Sequence, residues 1–152
     1  LGNLAMIFAQ TGRVEQAERA FERALAIQRE IGNRRSEGVV LGNLAELHRR
    51  LGRIAQAAQA FEQAIQIHRE VANRRFEGAH LCDFGLCKVG QGDAGAGRRL
   101  WQQGFGLLVQ LKDSAEAERK RTTMREACAK AGLPPLDEDD VGEQEPGAPA
   151  TG

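Results

Sequence analysis

Apolar residues return along this chain every three or four positions, and the pattern then breaks at regular intervals. Leu41, Leu44, Leu47 and Leu51 form one stripe, and Ile54, Ala57, Phe61, Ala64, Ile65 and Ile67 form a second, with Gly52-Arg53 between them. That spacing belongs to amphipathic helices, and a glycine at the break supplies the left-handed residue that closes the first of the two. The unit repeats after forty residues: Leu1, Leu41 and Leu81 are in register, as are Gly12, Gly52 and Gly92, and Phe21, Phe61 and Trp101. Leu-Gly-Asn-Leu-Ala stands at 1–5 and again at 41–45. The pattern predicts helices over about 1–10, 14–31, 35–50, 54–71, 75–89, 94–111 and 115–131.

A helical hairpin of this length cannot cover its own stripes, so neighbouring hairpins are expected to stack around one continuous core. Ala57 and Ala64 are small enough for close helix approach, and Phe61 fills the space between them. In the third repeat the small positions are Gly97 and Gly104, and the bulky one is Trp101. Each glycine costs a helix about 1 kcal/mol relative to alanine, which predicts that the third hairpin is the loosest. Met124 and Gly132 keep the register for half a repeat more, and Pro134-Pro135 end it. The expected organisation is an all-α array over 1–133, with repeats of about 1–33, 34–73 and 74–113 and a capping helix at 115–131. A disordered acidic tail over 134–152 completes it. Asp113 and Glu116 have the spacing of a capping box for the last helix.

Composition adds charge asymmetry. The 21 basic and 21 acidic residues balance, but six of the acids lie between Asp137 and Glu145, so the body carries about +6 and the tail about −6. Three unevenly spaced cysteines, Cys82, Cys87 and Cys128, do not suit a disulfide scaffold and point to a reducing, cytoplasmic setting. No apolar run reaches the roughly 20 residues that a membrane helix needs, so no membrane partner is expected. The chain begins with Leu, which suggests a segment of a longer protein.

The string Leu-Gly-Asn-Leu-Ala-Glu-Leu-His-Arg-Arg-Leu-Gly-Arg-Ile-Ala-Gln-Ala-Ala-Gln-Ala-Phe-Glu-Gln-Ala-Ile from Leu41 resembles the tetratricopeptide repeat. Leu41 takes the place of the family's Trp-type anchor, Leu44-Ala45 that of the Leu-Gly pair, and His48 the Tyr-type position. Gly52 stands at the turn, and Ala57, Phe61 and Ala64 at the signature positions of the second helix. The forty-residue unit is similar to the longer variant of kinesin light chains, spindle-orientation adaptors and bacterial signalling proteins.

The resemblance implies a right-handed superhelical solenoid whose first helices line a concave, peptide-binding groove. Carried onto this chain, the groove positions are Gly2, Asn3, Met6 and Gln10, then Gly42, Asn43, Glu46, Arg49 and Arg50. Cys82, Asp83, Leu86 and Val89 follow in the third repeat, and Thr123, Glu126 and Lys130 in the cap. Asn3 and Asn43 stand beside core leucines, and their amides could clasp a peptide main chain. The family's carboxylate clamp needs basic residues where this chain has Val39 and Gly42.

The implied function is a protein-interaction module taking a partner's peptide, within a larger scaffold or signalling protein. The alternative is a structural spacer or lid packed on an upstream ATPase, kinase or transcription-regulator domain of its own chain. Asn-Arg-Arg at 33–35 and 73–75, with Glu37 and Glu77 following, is better explained by Arg–Glu pairing than by nucleic-acid binding, since stacking aromatics and a concentrated basic face are lacking. His80, Cys82 and Cys87 do not have a zinc spacing, and Gly90–Gly97 lacks the lysine of a phosphate loop. No enzymatic activity, metal or cofactor is expected.

Overall fold

The computed structural model describes Ile7 and residues 10–138, and over that range the chain is all helix and short turn. Helices run α1 Val14–Glu30, α2 Arg34–Arg50, α3 Ile54–Glu70, α4 Arg74–Gly90, α5 Ala94–Gln110 and α6 Ser114–Ala131. The first predicted helix, 1–10, lies outside the described residues except for Ile7 and Gln10.

Three-residue connections separate the helices, and the middle residue of each is left-handed: Gly32, Gly52 and Gly92 at φ 70°, 76° and 83°, but Ala72 and Lys112 at 52° and 58°. Each turn closes a helix by the same pair of bonds, as where Gly52 N–H donates to Arg49 O and Arg53 N–H to His48 O. Three helix starts are capped by a side chain, whereas Asn73 at the start of α4 makes no such bond. Asn33 accepts from Ser36 N–H, Asp93 from Ala96 N–H and Asp113 from Glu116 N–H. Half of the expected capping box therefore forms, while the Glu116 carboxylate turns to Arg119 instead.

Each helix packs on the next, and additional contacts between α2 and α4 and between α4 and α6 join the hairpins through their first helices. The repeat-spaced residues are the core: Phe21, Phe61 and Trp101 are at most 1% exposed. Met124 is fully buried with Cys128 in a last cluster that also holds Trp101 and Leu108.

The third hairpin is not loose. Gly78 and Gly85 of α4 face Gly104 and Gly97 of α5, and a Cβ on Gly97 would come within 2.7 Å of the Gly85 carbonyl oxygen. The glycines that weaken helix propensity thus let two backbones meet, and dispersion contacts between the helices replace what propensity loses.

Residues 134–138 are also ordered against the array. Leu136 is 2% exposed and belongs to the last core cluster. Gly132, left-handed at φ 68°, closes the helix before Pro134-Pro135, and the next residue, Leu136, returns the chain to the protein.

Candidate functional site

The first helices of successive hairpins, α2, α4 and α6, border a cavity of about 230 Å³. Asn43, Glu46 and Arg50 come from α2, Phe76, Ala79, His80 and Asp83 from α4, and Glu116, Lys120 and Thr123 from α6. The register explains this convergence: residues 43, 83 and 123 are equivalent positions of consecutive repeats, one turn from 46 and 120.

Its walls are ion pairs. Both oxygens of Asp83 accept from Lys120 Nζ, at 2.8 and 2.9 Å, across α4 and α6. Burial alone would lower Lys120, but Asp83, with Glu116 and Glu46, more than offsets that and holds the ammonium above its ordinary pKa. On α2, Glu46 accepts from Arg49 at 2.8 Å and from Arg50 at 3.0 Å. Against the burial that raises it, these two guanidiniums keep the Glu46 carboxyl below the usual carboxylate range.

Phe76 and His80 form an aromatic floor, and His80 is paired beneath it with a second buried histidine, His68. His80 is 3% exposed and His68 is fully buried, with His68 Nε2 2.9 Å from His80 Nδ1. One ring donates and the other accepts, so the accepting ring is neutral. Phe76 stacks on His68 with ring centres 5.8 Å apart. Burial pulls His68 down to about 4 and His80 well below its ordinary value, so both are neutral at physiological pH.

Of the residues expected to line the groove, the cavity brings together Asn43, Glu46, Arg50 and Asp83, with Thr123 from the cap. Arg49 is beside them, held on Glu46. Asn43 is half-buried and its amide makes no hydrogen bond among the described residues. Gln10 is exposed, and Asn3 and Met6 lie outside the described residues.

Three expected groove positions are core instead. Leu86 is 5% and Cys82 1% exposed, both packed with Trp101 and Met124, because α5 and α6 close over that side of α4. Gly42 is buried beneath the His80 ring. Sequence periodicity missed Phe76, Ala79 and His80. Gly42 was the available signal, since a glycine in mid-helix opposite a ring-bearing repeat implies a close approach.

The Asn-Arg-Arg stretches are engaged structurally. Arg34 pairs with Glu37 at 3.2 Å and with Glu70 at 2.9 Å, whereas Glu77 of the second copy is held by Arg69 at 2.8 Å and Arg75 reaches Asp113. The three cysteines are free and buried, and burial raises the Cys82 and Cys87 thiols.

A stack of helical hairpins in forty-residue register is what the repeat pattern predicted, and the joining of first helices around one cleft is what the resemblance implied. The family model for the tetratricopeptide repeat matches residues 1–70. Over those residues, just under half of the chain, the protein is built of tetratricopeptide repeats. The hairpin of α4 and α5 continues the same architecture beyond the matched residues. A comparison with curated proteins finds no match. Tetratricopeptide repeats generally mediate protein–protein interaction. Among the described residues no helix is long and apolar enough to cross a membrane.

Proposed function

We propose that the array binds an extended or helical peptide segment of a partner protein in the cleft bordered by α2, α4 and α6. The observation that carries this is the convergence of Asn43 and Arg50 with Phe76 and Ala79 on one cavity. A peptide ligand needs main-chain partners, an apolar shelf and charge to set direction. Asn43 supplies the first through an amide that has no partner within the described residues, Phe76 and Ala79 the second, and Arg50 the third. Glu46, Arg49 and Asp83 shape the walls through their ion pairs. In this reading Leu86 contributes from beneath, by supporting α4.

Peptides selected from a phage-displayed library against the intact chain provide the test. They should bind the chain and lose roughly ten-fold or more in affinity to an Asn43→Ala/Arg50→Ala variant that keeps its helical circular dichroism, consistent with two lost polar anchors. Equal binding to both forms would remove the cleft as the site.

A further inference from the structure

Among the described residues no second helix follows α6 to complete its hairpin, and a short segment that turns at Leu136 and Asp137 covers the face where one would pack. Leu133 and Leu136 enter the core cluster of Trp101, Leu108, Met124 and Cys128. Side chains of the array grip the main chain of Leu136 on both sides: its N–H donates to Met124 Sδ at 3.1 Å and its carbonyl accepts from Gln102 Nε2 at 3.1 Å. The next residue, Asp137, is 2.9 Å from Arg125 and 3.3 Å from Arg121. Arg121 is itself laid over the Phe105 ring at 4.8 Å, which fixes its direction. Arg98 donates to the carbonyl of Glu138.

This is how a protein holds a peptide rather than how it finishes a helix. An apolar anchor fills a pocket, main-chain groups are met by side chains of the receptor, and two guanidiniums read a carboxylate at the following position. Pro134-Pro135 stiffen the approach in an extended form and lower the ordering cost. None of these contacts requires the segment to be covalently continuous with α6.

We infer that the end face of α5 and α6 is a recognition site for a partner peptide that turns at a leucine followed directly by Asp or Glu, and that residues 134–138 fill it as a resident competitor. The ligand chemistry comes from what the seat already holds: a Leu-sized pocket beside Met124, donors for one carbonyl, and an Arg121–Arg125 pair for one carboxylate. The site is separate from the α2–α4–α6 cleft, and its test is independent of that reading. A tethered segment acts at an effective concentration in the millimolar range, so an external peptide gains access when the resident residues are weakened.

The test uses the full chain and a fluorescein-labelled peptide, Leu-Pro-Pro-Leu-Asp-Glu. Fluorescence anisotropy should show binding to a Leu136→Ala/Asp137→Ala variant at least about ten-fold tighter than to the unaltered chain, because the tethered competitor is lost. Replacing the peptide's second Leu by Ala, or Arg121 and Arg125 by Gln in that variant, should abolish it. No binding to a variant with unaltered helical circular dichroism, or binding indifferent to both arginines, overturns the site. If the double variant loses helicity, Asp137→Asn alone decides: a several-fold gain supports the site and unchanged affinity overturns it. Concentration-dependent dimerisation of the chain in sedimentation, with no peptide uptake by any variant, overturns the partner peptide in favour of exchange between copies.

Discussion

The imidazole of His80 occupies the space that a side chain at position 42 would need: a Cβ built on Gly42 runs into three atoms of the ring. The glycine of the recurring pentapeptide, in its second copy, is therefore a seat for a buried histidine of the next repeat. Gly42→Ala should lower stability by about 1–3 kcal/mol, the usual cost of overpacking, despite its better helix propensity. Urea denaturation should show this, and His80→Ala should relieve it in a double-mutant cycle. Additive losses would mean that the two residues do not meet.

Burial of the histidine pair makes stability depend on pH with a definite sign. His68 is lowered to about 4, against an ordinary value of 6.5, chiefly by desolvation. Between those values the unfolded chain binds more protons than the folded one, so stability rises with pH there. Its contribution is complete above about 6.5 and is lost as pH falls toward 4, by about 2–3 kcal/mol. Urea midpoints measured at pH 7.5 and 4.5 should differ accordingly, and His68→Phe should flatten the difference. The Glu37 carboxyl, which burial raises but Arg29 and Arg34 bring below its ordinary value, contributes to a loss at more acidic pH.

Glycines of α5 offer a test in which propensity and packing predict opposite signs. A Cβ on Gly104 would lie 2.8 Å from the Cys82 nitrogen and from Leu81 Cβ, and closer still to the Gly78 carbonyl. Backbone cannot move aside as a flexible side chain can, so Gly104→Ala should destabilise by about 1–3 kcal/mol. Gly106 has nothing within 4 Å of a Cβ. Gly106→Ala should therefore stabilise, by up to about 1 kcal/mol. Thermal melts of the two variants should move in opposite directions, and a gain from both would show that the helices are not in backbone contact.

The connections predict a second opposed pair. Ala72 is left-handed at φ 52° where equivalent turns have glycine. That conformation costs an L-residue about 1–2 kcal/mol, partly offset by the greater unfolded-state freedom of glycine. Ala72→Gly should raise stability by about 0.5–1 kcal/mol and Gly52→Ala should lower it by a similar amount. Denaturant midpoints check both, and a loss from Ala72→Gly would contradict the turn geometry.

The architecture was legible in the chain because it rests on local rules repeated in register. Apolar spacing located the helices, Gly12, Gly52 and Gly92 marked the turns, and Ala57, Phe61 and Ala64 marked a close-packed second helix. Within the candidate cleft, Asn43, Glu46, Arg50 and Asp83 were accessible for the same reason, since equivalent positions of stacked repeats face the same way.

What lies between helices was not accessible. Periodicity assigns a residue to a face but cannot say how far the next helix extends over it, so Cys82 and Leu86 were placed in the groove although α5 and α6 bury them. Glycine reads locally as a weak helix former, and only the approach of α4 to α5 turns Gly97 and Gly104 into contact surface. Pro134-Pro135 and the acidic run read as the end of order, yet the apolar seat for Leu136 and two arginines of α6 bring Leu136 and Asp137 back onto the array. The sequence by itself determined the helices, their order and their stacking, because backbone hydrogen bonding and apolar spacing act within one turn. Tertiary structure alone decided which polar groups remain open to a partner, because that depends on distances between residues a repeat or more apart.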